Sequence, residues 1–273
     1  MTFKPYADLF DLRGKVCLVT GGAGIIGSEI CRALAANGAN VAVVDLGDST
    51  ALVDELVSTY GVKAVGVKCD VADPDSVANM VKTVVDALGG SDVLHNNAAT
   101  KSKNPGDFFV PFEEFEFSVW RDVMSVNLDG MFLVAQAVGK QMVAQGRGGS
   151  IIQTASTYGV VGPDFRIYEG SEYMGYRITT PAAYSASKAA VVGLTRYLAT
   201  YWGDKGIRVN TLVPGGVQSG QNEHFQANYG SRVPLGRMAK RQEIVGAVVY
   251  LASDASSYMT GQMMVVDGGW TAW

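Results

Sequence analysis

The segment from Lys15 to Asp45 limits the possible folds of this chain more than any other. A short apolar run, Lys15-Val-Cys-Leu-Val-Thr20, enters Gly21-Gly-Ala-Gly-Ile-Ile-Gly27 and then a helix-like stretch from Ser28 to Asn37. A second apolar run, Asn40-Val-Ala-Val-Val-Asp45, follows and ends in a carboxylate. Strand, glycine turn, helix and strand in one register make a βαβ unit, the building block of parallel sheets. Gly22, Gly24 and Gly27 satisfy G-x-G-x-x-G, in which the missing side chains let backbone N–H groups approach a pyrophosphate and let the helix pack on the strand. The helix N-terminus then faces the phosphates with its partial positive charge. Asp45, 18 residues after Gly27, fits a ribose-binding acid. A carboxylate there accepts both ribose hydroxyls but repels a 2′-phosphate, and no Arg or Lys follows in Leu46-Gly-Asp48, so NAD is predicted over NADP. A cap on the following turn by Asp45 is compatible with that role.

Further apolar runs predict strands near 62–68, 92–96, 149–154, 206–212 and 262–266, with helices near 74–88, 119–145, 182–203 and 240–252. This alternation predicts an α/β fold, a doubly wound, Rossmann-like parallel sheet of about seven strands with helices on both faces and ligands at the carboxyl ends of the strands. Asp45, Asp70, Asn97 and Ser156 fall at such ends. The 273 residues can enclose a large core without a linker or repeat, so one domain over 1–273 is expected.

Composition excludes several function classes. With 48% hydrophobic and 18% charged residues the chain is globular, and a formal charge of −4 gives no electrostatic reason to bind nucleic acid or an anionic membrane. No segment is apolar enough to span a bilayer, and Lys4, Pro5, Asp8 and Asp11 leave no room for a secretory apolar stretch, so a cytoplasmic location is expected. Cys17, Cys31 and Cys69 are odd in number and widely spaced, which reads as core thiols. Without a C-x-x-C pair, an H-E-x-x-H or a cluster of His and carboxylates, no metal is expected. His95, at a strand end, reads as a packed histidine, and His224 as a solvated loop residue.

Tyr184 and Lys188, in Thr180-Pro-Ala-Ala-Tyr-Ser-Ala-Ser-Lys188, stand one helical turn apart on one face. A phenol titrates near ~10 and exchanges protons at neutral pH only if a fixed positive charge stabilises its phenolate, which Lys188 would supply. The spacing alone is also that of an ordinary helix face.

From about Leu12 to Gly269 the chain resembles the short-chain dehydrogenase/reductase family. Cys69-Asp70-Val71 is similar to the family's adenine-contacting element, and Leu94-His-Asn-Asn-Ala98 to the segment ending its fourth strand. Asn127 in Met124-Ser-Val-Asn-Leu128 matches the active-site asparagine, and Ser156 the serine after strand five. Pro214-Gly215 with Val217 and Ser219 resembles the loop that meets the nicotinamide carboxamide, and Val265-Val-Asp-Gly-Gly269 the closing strand. The resemblance implies cofactor contacts from Gly21, Gly22, Gly24, Ile26 and Gly27, from Asp45, Asp70, Val71 and Asn97, and from Tyr184, Lys188 and the 214–219 loop. It implies an NAD-dependent oxidoreductase interconverting a secondary alcohol and a ketone, or a lactol and a lactone, by hydride transfer. In the roles so implied, Tyr184 moves the hydroxyl proton and Ser156 bonds the carbonyl oxygen. Lys188 lowers the Tyr184 pKa and bonds the nicotinamide ribose, and Asn127 holds a water linking Lys188 to solvent. A homotetramer or homodimer, paired through the helices near 119–145 and 182–203, is likewise implied.

Three features depart from the family pattern. Its usual glycines would fall at 21, 25 and 27, but position 25 is Ile and the glycine is at 24, closer to the sugar-nucleotide-modifying branch. Ala99 replaces a glycine after Asn-Asn-Ala. Tyr184 lies 28 residues beyond Ser156, about twice the family's usual interval, which implies a substrate-side insertion near 157–183. Tyr158, Arg166, Tyr168, Glu169, Glu172, Tyr173, Tyr176 and Arg177 within it suit a hydroxylated small-molecule substrate such as a sugar, polyol or sugar derivative, with Arg166, Arg177, Lys101 or Lys103 available for an anionic group. Subunit contacts or a solvent-facing cover would use the same residues. Residues 216–232, rich in Gln, Asn, Ser and Gly, read as a movable lid. Two alternatives stay open: an epimerase or dehydratase cycling bound NAD, disfavoured because the chain ends at Trp273 with no further substrate domain, and a non-catalytic dinucleotide-binding protein, disfavoured by Ser156, Tyr184 and Lys188 standing together.

Overall fold

Alternate side chains of each central strand enter two different cores. The computed structural model describes residues 6–102 and 104–273. Its elements run β1 (Val16–Thr20), α1 (Ile25–Ala36), β2 (Asn40–Asp45), α2 (Thr50–Tyr60), β3 (Ala64–Lys68), α3 (Pro74–Leu88) and β4 (Val93–Asn96). A one-turn helix α4 (Pro105–Phe108), α5 (Phe117–Met124), a π-helical segment (Ser125–Gly130) and α6 (Met131–Gln145) lead to β5 (Gly149–Thr154). There follow a short hairpin of β6 (Glu172–Tyr173) and β7 (Tyr176–Arg177), then α7 (Ala182–Trp202), β8 (Ile207–Pro214), α8 (Glu223–Gly230), α9 (Val245–Ala252) and β9 (Met263–Val266).

The main sheet has the order β3-β2-β1-β4-β5-β8-β9, and every neighbouring pair is parallel. On β1, Val16 and Leu18 join the core built with α3, α6 and α7, through residues such as Met80, Val138 and Leu198. Cys17 and Val19 join the core on the other face, with Ile30 of α1, Leu56 of α2 and Leu251 of α9. A strand covered on both faces needs an unbroken apolar run rather than an alternating one, which is why β1 is buried along its whole length. The chain builds outward from β1 to β3, returns to β4, and builds the other way, so the switch point lies between β1 and β4.

The seven parallel strands fall where the sequence predicts them, with β8 extending two residues further, to Pro214. The helices differ more. α2 is absent from the expectation, although Leu52 and Leu56 are buried one turn apart and Gly61 closes the helix in the left-handed conformation. The single helix expected over 119–145 is interrupted by the π-helical segment, whose wider turn carries the buried Asn127. The 240–252 helix begins only at Val245, after a 3-10 turn at Arg241–Glu243. The 157–183 segment holds two 3-10 turns and the β6–β7 hairpin, and the 216–232 segment contains α8.

Candidate active site

The glycine turn after β1 has no room for side chains. A Cβ on Gly27 would lie 2.0 Å from the Gly21 carbonyl oxygen, and one on Gly21, whose φ is +64, would lie 3.1 Å from the Ala98 Cα. This packing leaves the backbone exposed at the start of α1, where no side chain caps the helix among the described residues. Such a cradle fits a pyrophosphate. Asp45 sits beside it, one carboxylate oxygen accepting from the Ala23 N–H and the other from the Gly47 N–H, each at 3.0 Å. The acid thus ties the glycine turn to the end of β2 and keeps lone pairs for further donors. Ile26 is half-buried and packs into the core under α1, whereas Ile25, in the place of the family's glycine, is exposed.

The ends of β1 and β4 are joined by a residue the sequence reading missed. The Thr20 hydroxyl accepts from the main-chain N–H groups of Asn97 (2.9 Å) and Ala98 (3.0 Å) and donates to Asn96 (3.2 Å). The Asn97 side chain turns back onto β1, donating to the Thr20 carbonyl at 3.1 Å. Asp70 is exposed at the end of β3 and accepts from the Ala72 N–H at 2.9 Å, while Val71 is buried. Pro214 ends β8, and the Gly215 N–H donates to Val266 at 2.9 Å. Val217 is buried and bridges Ala239, and Ser219 is exposed.

Ser156, Tyr184 and Lys188 come together although 28 residues separate the first two. Ser156 follows β5 directly, and its hydroxyl accepts from the Tyr158 N–H at 3.3 Å and lies near enough to the Tyr184 phenol to pull its pKa down. Gly159 sets the turn against α7: a Cβ there would lie 2.6 Å from the Lys188 carbonyl carbon. Lys188 is buried, with its ammonium 5.8 Å from the centre of the Tyr184 ring. That ammonium donates to the Thr154 carbonyl at 2.9 Å.

Burial governs the titration of both groups. It lowers the Lys188 pKa to about 8 and raises that of Tyr184, against which the Ser156 hydrogen bond pulls down. Loss of water thus opposes the Tyr184 phenolate more strongly than Ser156 favours it.

Asn127 is fully buried and holds the loop after β4 with both ends of its amide. Its oxygen accepts from the Thr100 N–H at 2.7 Å, and its nitrogen donates to the Thr100 carbonyl at 3.1 Å. The side chain acts as a clamp on that loop, a role the motif did not reveal.

The 157–183 and 216–232 segments pack together over this end of the sheet. Ile167, Phe225, Tyr229 and Trp270 form a cluster with Tyr158 and Tyr168 against it. The Glu169 carbonyl meets His224 at 2.9 Å and accepts from Asn228 at 3.1 Å, and Arg232 pairs with Asp164 at 2.7 Å. Arg166 is held by the same Asp164 at 2.8 Å. Beside them, a mostly apolar cleft of about 640 Å³ runs between Phe109, Phe112, Phe165, Arg177 and Ser185. Lys103 lies outside the described residues. Among the described residues no group of His, Cys and carboxylates is arranged for a metal, and no helix is long and apolar enough to cross a membrane. The three cysteines are buried, as is His95, which meets the Thr154 hydroxyl at 2.7 Å and whose pKa burial lowers to about 3.

Glycine cradle, terminal acid and Ser-Tyr-Lys set on a seven-stranded parallel sheet have a known counterpart. The chain belongs to the short-chain dehydrogenase/reductase family and matches, over residues 21–271, a family described as enoyl-(acyl carrier protein) reductase. It is 37% identical to a 2,5-dichloro-2,5-cyclohexadiene-1,4-diol dehydrogenase of Sphingobium indicum, over 96% of this chain and 99% of that one. It is 38% identical to a D-threitol dehydrogenase of Mycolicibacterium smegmatis, over 96% of this chain and 95% of the relative. A crystal structure of a gluconate 5-dehydrogenase from Burkholderia cenocepacia in complex with NADP and tartrate superposes with a TM-score of 0.85 at 32% identity, covering 97% of this chain and 98% of that chain. The chain is thus an enzyme of the short-chain oxidoreductase class, using a nicotinamide dinucleotide at an alcohol–ketone couple.

Proposed function

We propose that the enzyme is an NAD-dependent dehydrogenase of hydroxylated small molecules, with Tyr184 as general acid and base. The observation that carries this reading is the Tyr184 phenol beside Ser156, with the buried Lys188 ammonium 5.8 Å from the centre of its ring. A bound nicotinamide dinucleotide supplies the hydride donor or acceptor and, when oxidised, a positive ring charge. Ser156 donates to the substrate oxygen and holds it against Tyr184, which takes the hydroxyl proton in oxidation and returns it in reduction. Lys188, fixed by Thr154, favours the phenolate and bonds the nicotinamide ribose. Asn127 steadies the 97–100 loop and would hold a water linking Lys188 to solvent.

The glycine cradle, Asp70, Val71, Asn97 and the loop of Pro214, Gly215, Val217 and Ser219 would hold the dinucleotide. Asp45 supports NAD through repulsion of a 2′-phosphate, whereas the NADP named with the gluconate 5-dehydrogenase, and Lys68 in register with Asp45, favour some acceptance of NADP. Polyols, sugar acids and alicyclic diols are the substrate class, supported by the named activities of the relatives and by the hydroxyl-rich 157–183 segment. The glycine at 24 rather than 25 favours, as a second reading, an internal redox cycle on a sugar nucleotide. Incubation of a panel of polyols, sugar acids and simple secondary alcohols with NAD tests both: net formation of reduced nicotinamide supports the dehydrogenase, and turnover without it supports the cycle.

We read residues 1–273 as one cytoplasmic domain, with 157–183 as the substrate-side insertion and 216–232 as the lid. A homotetramer or homodimer is supported by the exposed Phe132 on α6 and by Tyr197 and Tyr201 on α7, whose rings stack 5.8 Å apart. Light scattering on the purified protein gives the number of subunits.

A further inference from the structure

The cleft of about 640 Å³ between the 109–115 and 163–185 stretches joins an apolar lining to a single cation. Phe109, Phe112 and Phe115 come from the first stretch, and Pro163, Phe165 and Pro181 from the second. Phe112 is 74% and Phe165 58% exposed. Burying a ring of that size is favourable, so two of them left in water along one cleft mark a place for a ligand with an apolar body of its own.

The cation is Arg177, on β7. Among the described residues its guanidinium has no hydrogen-bond or ion-pair partner. Glu172 stands opposite it in the β6–β7 register, where a cross-strand ion pair would be ordinary, yet none joins them. The hairpin is set against α4 by Tyr176, whose ring would lie 2.8 Å from a Cβ on Gly106, and this fixes the Arg177 main chain beside the cleft. Ser185, in the first turn of α7, also lines the cleft, and its hydroxyl oxygen is closed off from solvent without a partner among the described residues. α7 itself starts at Pro181 with no side-chain cap. A spare hydroxyl and an uncapped helix start favour the same kind of guest as Arg177, a negative one.

We propose that this cleft binds a small carboxylic acid with an alicyclic or aromatic ring, the ring among the phenylalanines and the carboxylate on Arg177. A guanidinium fork meets a carboxylate through two parallel hydrogen bonds. Glu113 is the one acid lining the cleft, so the single cation suits a monoanion and not a phosphate dianion. None of Asn127, Ser156, Tyr184 and Lys188 lines the cleft, but Ser185 is the next residue after Tyr184. The acid is therefore the far end of the substrate or a separate ligand bound beside the proton-transfer helix.

Titration calorimetry on the full-length protein, with and without NADH, tests the site. Cyclohexanecarboxylate and benzoate are the probes, and cyclohexanol, acetate and inorganic phosphate the controls. The two ring acids are expected to bind about 10-fold or more tightly than each control. Arg177→Met is expected to remove most of that margin and to leave cyclohexanol as in the wild type, whereas Glu113→Gln is expected to tighten the ring acids by a few-fold. Both residues are exposed, so neither substitution threatens folding. Absence of ring-acid binding, equal binding of cyclohexanol, or ring-acid binding unchanged in Arg177→Met overturns the proposal. Calorimetry needs no turnover, so these outcomes leave the dehydrogenase reading to the alcohol panel above. Inhibition kinetics on an alcohol oxidised in that panel separate the two sources: competition with the alcohol makes the ring acid the far end of the substrate, and a change in kcat without competition makes it a separate ligand. Either result retains the site.

Discussion

Lys188 donates from its ammonium to the main-chain carbonyl of Thr154 at 2.9 Å, two residues before Ser156 on the same strand end. α7 and the end of β5, which Ser156 follows, are thereby fixed to each other, and the ammonium is held in the protein interior below the Tyr184 ring. The same burial that makes the charge effective also makes it expensive to keep.

That cost has a pH signature in the cofactor-free protein. Lys188 has a pKa of about 8 in the folded state against an ordinary value of 10.5. A depressed pKa contributes stability above 10.5 that is lost as pH falls through 8, because the folded state gives up the proton first. Relative to Lys188→Met, the wild type is expected to gain stability as pH rises from about 7 to about 9.5, by at most about 3 kcal/mol. Urea unfolding of both proteins at the two pH values reads the difference, and a difference independent of pH counts against a depressed Lys188 pKa.

Asp45 holds the glycine turn, and in the proposed reading it meets the ribose, so replacing it is expected to change cofactor choice. Asp45→Ser removes the repulsion of a 2′-phosphate and leaves Lys68 across the β2–β3 register. The ratio of kcat/KM for NADP over NAD is expected to rise by about 10-fold or more, through loss of a like charge and the gain of a charge-assisted contact. Adding Lys68→Ala is expected to reverse much of the gain. Steady-state kinetics with both cofactors decide it, and an unchanged preference removes Asp45 from cofactor selection.

Asn127 makes two buried hydrogen bonds to the Thr100 main chain. Asn127→Leu strands that N–H and carbonyl, at a cost of about 2 kcal/mol or more. Chemical denaturation measures it. A loss under about 0.5 kcal/mol, the size of an ordinary surface change, means that Thr100 finds other partners.

The centre of the parallel sheet was legible because its strands are covered on both faces and therefore appear as unbroken apolar runs, as in Val16–Thr20 and Asn40–Asp45. The glycine turn was legible because the close approach of Gly27 to Gly21 admits no other residue. α2 was less so, since only Leu52 and Leu56 of its residues are buried and the apolar signal is thin. The clamp of Asn127 on Thr100 and the junction at Thr20 depend on a turn that widens and on strand ends that meet across the switch point, neither of which leaves a periodic trace. The meeting of the Tyr158, Tyr168 and Thr180 hydroxyls depends on how the 157–183 segment folds back on α7 and α8.

The central claim is that the Tyr184 phenol moves the proton. Tyr184→Phe keeps the ring and removes only the hydroxyl, so NADH affinity by fluorescence titration and turnover by absorbance of the reduced nicotinamide are measured on the same preparation. NADH binding is expected to stay within a few-fold of wild type while kcat falls by about 1000-fold, within the range for loss of a general acid or base. Normal NADH binding with undiminished turnover would contradict the account.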